Sequence, residues 1–527
     1  MMSRTLIVAD RVRTLAGLVG DAVLIEGSTI AAAGSAEHLR TPDIQEVRYP
    51  GATIVPGLVD AHLHPVGYAA SLERPILKGA RDFADVADII AGAARTQGAD
   101  TAIVALRLDD ESLAEGSLPD RTFLDRIVPD RPVLAIRYCG HIAVANSRAL
   151  ELAGIGTATL DPPRGSIDRD AGGVPTGVLR ETAVDPVSAA LQDLAPAVTA
   201  DDLARAAHAL AAVGITRIGA VADLDGGCWA GAGSELDLLI EAAPAVPIDM
   251  EVFVVAETRE DLESATERLA GAGGRVRFAG LKMYSDGSIG GHTAAMHHDF
   301  SDQPGEQGTD RLDPGWAMEM AGSALSMGGR VAIHAIGDRA NENVLDLMES
   351  LVRGGGDPTR LRVEHASVLT EPDIARFGAL GITASVQPAF IASETEWLEK
   401  RLGPQRLKRT YAFRSLAEAG APLAGGSDSP VEPPHPLWGM ATARDRCGLV
   451  PEESLTAEAA FAMFTAGAAA SVGCDANLDP GSKAVLTILP VDPVAATPEE
   501  LRAAEVLGTW MGDSAVAIPE GITTWKG

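Results

Sequence analysis

The sequence predicts an α/β protein whose main body is a (β/α)8 TIM barrel, and three observations predict it. Eight short apolar segments alternate with Ala-rich amphipathic runs through the middle of the chain. Both ends carry short alternating segments punctuated by glycine. About 150 residues separate the first apolar segment of the middle region from the second, several times an ordinary connection.

The amino end, from residue 1 to about 55, contains Leu6-Ile7-Val8, Ala22-Val23-Leu24-Ile25 and Thr29-Ile30-Ala31-Ala32. Gly17, Gly20, Gly27 and Gly34 break these runs, as expected of antiparallel strands joined by tight turns. The carboxyl end repeats the style at 484–489 and 506–510. Neither end is long enough to form a stable sheet domain alone, so residues 1–55 and 478–527 are expected to build one small β-domain together.

Barrel strands are expected at 53–59, 214–221, 248–255, 278–284, 330–335, 361–364, 382–386 and 421–424. Helices are expected at 201–212, 261–270, 341–353 and 371–380, which places the barrel at 56–75 and 200–477. Continuous apolar strands of this kind are buried on both faces. An open doubly wound sheet has the same strand content, and counting strands does not separate the two. Residues 76–199 form an insertion after the first barrel strand. It has strand-like segments at 102–106 and 133–138, a helical one at 145–152 and a Pro/Gly-rich passage at 161–177. Its position suits a cap near the barrel mouth.

Composition narrows the partners. The chain of 527 residues is 46% hydrophobic and 22% charged, which excludes intrinsic disorder. Its 43 Lys and Arg against 73 Asp and Glu leave a formal charge of −30. No positive excess exists to neutralise phosphates, so nucleic acid and anionic membranes are excluded as partners and a small-molecule substrate is expected. The 4 cysteines, Cys139, Cys228, Cys447 and Cys474, form no CxxC pair and suit a reducing compartment. The first residues lack a secretory h-region, and no run of about 18 apolar residues occurs. A cytoplasmic location is expected.

The chemistry lies in histidines at strand ends. In PGLVDAHLHP (56–65), His62 and His64 are two apart on a strand, so both imidazoles face one side and can reach one metal ion. HxH alone also fits a polar surface turn. His334 ends the fifth predicted strand, His365 follows the sixth and Asp428 follows the eighth. Singly, each histidine reads first as a satisfied, partly buried side chain and Asp428 as a loop-capping aspartate. Jointly they converge on the face where barrel enzymes place their chemistry, with N and O ligands suited to a divalent ion. Lys282, near the end of an apolar strand, is either paired with an acid such as Asp286 or deprotonated by burial. A neutral amine there could take up carbon dioxide as a bridging carbamate. Asp338 either orients His334 or caps the next helix. His141 and His292 are candidate substrate contacts. The other readings are a helix-start residue for His141 and a flexible loop for His292.

The blocks PGLVDAHLHP, GHIAVANSRAL (140–150), GLKMYSDGSIGGHTAA (280–295), HAIGDRA (334–340), RVEHAS (362–367) and GSDSPV (426–431) resemble the amidohydrolase superfamily, most of all its N-substituted formamide deformylase-like branch. The resemblance runs nearly end to end. It implies a (β/α)8 barrel with a small β-sandwich made by the two chain ends, and two divalent ions per chain, zinc being the first expectation. His62 and His64 would hold one ion with Asp428, His334 and His365 the other, and carboxylated Lys282 would bridge them. It also implies hydrolysis of a C–N bond in an amide, N-substituted formamide or cyclic amide, with Asp428 as general base, and self-association of the kind many members show. Two rivals remain at this level: a mononuclear deaminase of an aminated heterocycle, and a non-catalytic binding member. Intact ligand motifs on five strands count against the last.

Overall fold

The computed structural model describes residues 3–517 and 524–525, apart from 43, 139, 164, 192–193, 195–196 and 225–233. Cys139 and Cys228 lie outside the described residues. Eight parallel strands follow one another around the barrel in chain order: Leu58–Leu63, Ile215–Asp223, Asp249–Val255, Val276–Tyr284, Arg330–Ala335, Leu361–His365, Thr383–Val386 and Leu423–Gly425. The last and first meet. Leu63 bridges Ser429 in parallel, the His64 amide donates to the Ser429 carbonyl at 2.9 Å, and the Asp428 amide donates to the His62 carbonyl at 2.8 Å. Those bonds close the sheet, so it is a barrel and not an open doubly wound sheet.

Helices such as Ala200–Ala212 and Asp338–Arg353 pack outside, each burying one apolar stripe. The expected first strand at 53–59 divides. Thr53–Pro56 pairs antiparallel with Val485–Leu489, and only Leu58–Leu63 enters the barrel. Pro56 cannot continue a ladder as donor, and Gly57 lets the chain pass close to Thr216 and Val485 at the crossing.

The chain ends meet in a nine-stranded sheet. Its strands between residues 4 and 56 are joined through Thr53–Pro56 to Val485–Leu489, Gly508–Met511 and Ser514–Ala517. The 76–199 segment folds around a five-stranded sheet in the order Gly165–Arg169, Pro175–Glu181, Ile142–Ala145, Val133–Arg137, Ile103–Leu108. Alternate residues serve opposite faces. Ile103 and Ala105 join Val86, Ile90 and Leu124 in a local core, while Val104 and Leu106 join the core that contains the barrel. The helix expected at 145–152 is Ser147–Leu152, because Ala145 ends a strand and Asn146 caps the helix by accepting from the Ala149 amide. Arg107 donates to the Val431 carbonyl at 2.7 Å, and Lys78 pairs with Glu432 at 3.1 Å. These contacts tie the segment to the carboxyl-terminal rim of the barrel. No helix among the described residues is long and apolar enough to cross a membrane.

On that rim, helix Ala389–Glu394 ends in a buried carboxyl that accepts the Tyr411 hydroxyl. Burial pushes Glu394 up to about 8 from the ordinary 4.5, partly offset by the Tyr411 hydrogen bond. The folded chain therefore keeps a proton that the unfolded chain releases. This contribution to stability is whole below about pH 4.5, declines as pH rises, and is gone above about pH 8. Glu394→Gln keeps the shape and the acceptor oxygen, so it is expected to flatten the decline. Thermal midpoints of both proteins across that window check it; equal slopes would contradict the prediction.

Candidate metal centre

His62 lies one residue before the end of the first barrel strand, fully buried. Its Nδ1 lies 2.5 Å from Glu364 Oε2, and its Nε2 lies 3.2 Å from Asp428 Oδ1. The same Asp428 oxygen lies 3.3 Å from His64 Nε2. Asp60 fastens this corner from behind, accepting the His62 amide at 3.1 Å and the Ser427 amide at 3.0 Å through one oxygen. The loop after the eighth strand is thereby locked to the first strand.

His365 and Asp428 both hold left-handed backbone, with φ of 73° and 56°. For residues with a Cβ this is costly, and it persists where surrounding structure imposes it. The turn swings His365 towards the rim, leaving its Nδ1 2.8 Å from Gln387 Oε1 on the segment after the seventh strand. Its ring lies 4.5 Å from that of His334 and 5.3 Å from that of His62. His334 Nε2 faces the Gly287 carbonyl at 3.0 Å and Asp286 Oδ1 at 3.2 Å.

Lys282 completes the group, with Nζ 3.4 Å from His62 Nε2 and 4.8 Å from the centre of the Tyr284 ring. Burial lowers its ammonium to about 8, against the pull of Glu364 and Asp428. Burial also holds His334 and His365 well below the usual imidazole range. For Asp428, burial works upward, but His62 and His64 prevail and keep the carboxyl well below its ordinary value. Burial and the nearby Lys282 would lower His62, but Glu364 and Asp428 outweigh them and hold it above the usual imidazole range. The cluster gathers four imidazoles, one amine and one carboxylate.

The structure thus brings His62, His64, Lys282, His334, His365 and Asp428 to one rim. Asp286 is bound elsewhere than to Lys282: its carboxylate accepts the amides of Ala295, Ile336 and Gly337 at 2.8 to 3.0 Å and faces His334. It, and not Asp338, is the acid beside His334; Asp338 takes the His297 amide at 2.8 Å. His141 reaches the cluster from the insertion, its ring 6.0 Å from that of His334 and its Nδ1 2.9 Å from Glu181 Oε2. Arg311 backs the same carboxylate at 3.1 Å. Burial would raise Glu181, but His141 and Arg311 bring it down to about 2. Glu181 itself sits at φ 52°, and a side chain at Gly287 would collide with its carboxylate. His292 is farther out, bonded to Asp302 at 3.1 Å.

Sequence reading missed Glu364, Arg362, Gln387 and Glu181, and offered Asp286 to Lys282 where the structure places it beside His334. One signal was present: LRVEH places two opposite charges two apart in an apolar barrel strand, on one face. Arg362 lies buried inside the barrel against the Phe253 ring and holds Glu364 with a bidentate fork.

A model of the amidohydrolase family matches residues 50–517. YtcJ of Bacillus subtilis (strain 168), which bears the amidohydrolase name, is 32% identical over 516 residues, covering 93% of this chain and 94% of its own. The N-substituted formamide deformylase of Arthrobacter pascens is 27% identical over 519 residues, 93% of each chain. The chain belongs to the amidohydrolase family. Among solved structures, an uncharacterized metal-dependent hydrolase of Pyrococcus horikoshii OT3 superposes with a TM-score of 0.74 at 27% identity, over 94% of this chain and 99% of that one.

For an amidohydrolase-family hydrolase the donor set fits a divalent ion. His62, His365 and Asp428 offer ligand atoms within 4.8 Å of one another. His62 and His365 each have the other ring nitrogen engaged by an oxygen, the arrangement that fixes tautomer and ring angle in metal-binding histidines. Imidazoles and a carboxylate match zinc and its neighbours.

Proposed function

We propose that this chain hydrolyses a C–N bond in a small-molecule amide, N-substituted formamide or cyclic amide. The observation that carries the reading is the Asp428 carboxylate, held within 3.3 Å of both His62 and His64 at the rim. His62, His64 and Asp428 would hold one divalent ion, His334 and His365 a second, with carboxylated Lys282 between them and zinc the first candidate. Such ions supply water acidified towards neutrality and a polarised substrate carbonyl.

The chain's own residues do the rest. Asp428 takes the proton of the attacking water and delivers it to the leaving nitrogen, since an amide anion is too basic to leave unprotonated. Glu364 and Gln387 hold the imidazoles in orientation, and His141 contacts the substrate from the insertion side.

Metal analysis of the purified protein tests the nuclearity. The expected result is about two ions per chain, falling towards one in Lys282→Ala, with loss of turnover on a formamide and amide panel. One ion in both proteins would remove the bridging role and favour the mononuclear deaminase.

A further inference from the structure

Outside the cluster lies a chamber of about 640 Å³, between the insertion and the 287–293 loop. It adjoins the cluster across Glu181, which lines the chamber and also carries His141. The loop is a shared wall: its Gly287 carbonyl faces His334, and Gly290, Gly291, His292 and Thr293 face the chamber. Among the described residues, Leu118 and Ile142 are the only aliphatic side chains lining it.

The charges in this wall are already matched, with one exception. Arg180 pairs with Asp168 at 2.9 Å, and Arg401 holds both Asp302 and Glu111. Arg311, beneath Glu181, is committed to that carboxylate. Each of these guanidinium groups already has a carboxylate partner. Glu306 takes the Gly308 amide at 2.9 Å and makes no ion pair among the described residues. An aryl group placed here would strip water from the ion pairs and return no hydrogen bonds. A carboxylate would face the unpaired Glu306 and would compete with Asp168, Asp302 and Glu111 for guanidinium groups already paired.

We infer that the chamber receives the non-reacting arm of the substrate, and that this arm donates hydrogen bonds, being hydroxylated or cationic instead of aryl or carboxylate. The inference rests on the C–N hydrolysis reading for what happens at the cluster, but the recognition it describes is measurable without turnover.

The test compares three free amines by calorimetry on the metal-replete protein: 1-amino-1-deoxysorbitol, benzylamine and 4-aminobutyrate. The hydroxylated amine is expected to bind about tenfold tighter than either of the others. Equal or tighter binding of benzylamine or 4-aminobutyrate overturns the inference, as does no measurable binding of the hydroxylated amine. The N-formyl derivatives of the three are then assayed for hydrolysis. Silence towards all of them, with the binding order intact, sinks the C–N reading alone; hydrolysis with the order reversed sinks the chamber's selectivity alone. The double variant Asp168→Leu/Arg180→Met removes a wall ion pair outside the histidine cluster. It is expected to bring the amines near parity at unchanged metal content, and an unaltered preference would show that the arm binds elsewhere.

Discussion

Asp428→Asn is expected to lower kcat by at least about a thousandfold while leaving a folded protein. The carboxylate faces both His62 and His64, at 3.2 and 3.3 Å, and an amide can neither accept the water proton nor return it. Its backbone bonds survive the change, because the closing contact to the His62 carbonyl uses the Asp428 amide. Exchanging a buried carboxylate for a neutral group of equal shape also removes a desolvation cost. Circular dichroism and thermal unfolding beside steady-state kinetics check it. Turnover near wild type would remove Asp428 from proton transfer; a collapsed fold would show that its charge is structural.

Arg362→Met is expected to be the most destabilising single change in the barrel interior, by about 3–5 kcal/mol. The guanidinium lies at 2% exposure and touches Glu364, the Ala61 carbonyl at 2.7 Å and the Ser385 hydroxyl at 3.2 Å. Removing it strands Glu364, which is fully buried and which also holds His62. The double variant Arg362→Met/Glu364→Leu is expected to recover much of that loss but not metal content, since the His62 ring then loses its acceptor. Denaturant unfolding and metal analysis on the three proteins separate these effects. A single variant within about 1 kcal/mol of wild type would mean that water relieves Glu364.

The barrel was legible because its strands are buried on both faces and so read as continuous apolar runs between amphipathic helices. The residues that gather at the rim were legible for a related reason. His334, His365 and Asp428 interrupt apolar patterning at strand ends, where a polar residue needs a partner. What stayed hidden depends on contacts far apart in sequence. Glu364 and His62 are 302 positions apart, and nothing local in either segment announces the pair. Asp286 looked like a partner for Lys282 by proximity in sequence, but three backbone amides orient it towards His334 instead. The 53–59 run was read as one strand because both halves are apolar. Only the pairing of Thr53–Pro56 with Val485–Leu489 reveals that it serves two sheets.

The seam between the first and eighth strands has a consequence for how the molecule comes into being. His62 and Asp428 meet there, and so do strands Thr53–Pro56 and Val485–Leu489 nearby. Both pairings span most of the chain, which makes them high in contact order and dependent on nearly the whole polypeptide. A ribosome must have made 428 of the 527 residues before Asp428 can be supplied. Interrupted synthesis or carboxyl-terminal clipping upstream of the seam therefore yields chains with several histidines but no assembled centre. Assembly of this centre waits for a chain grown past its eighth barrel strand.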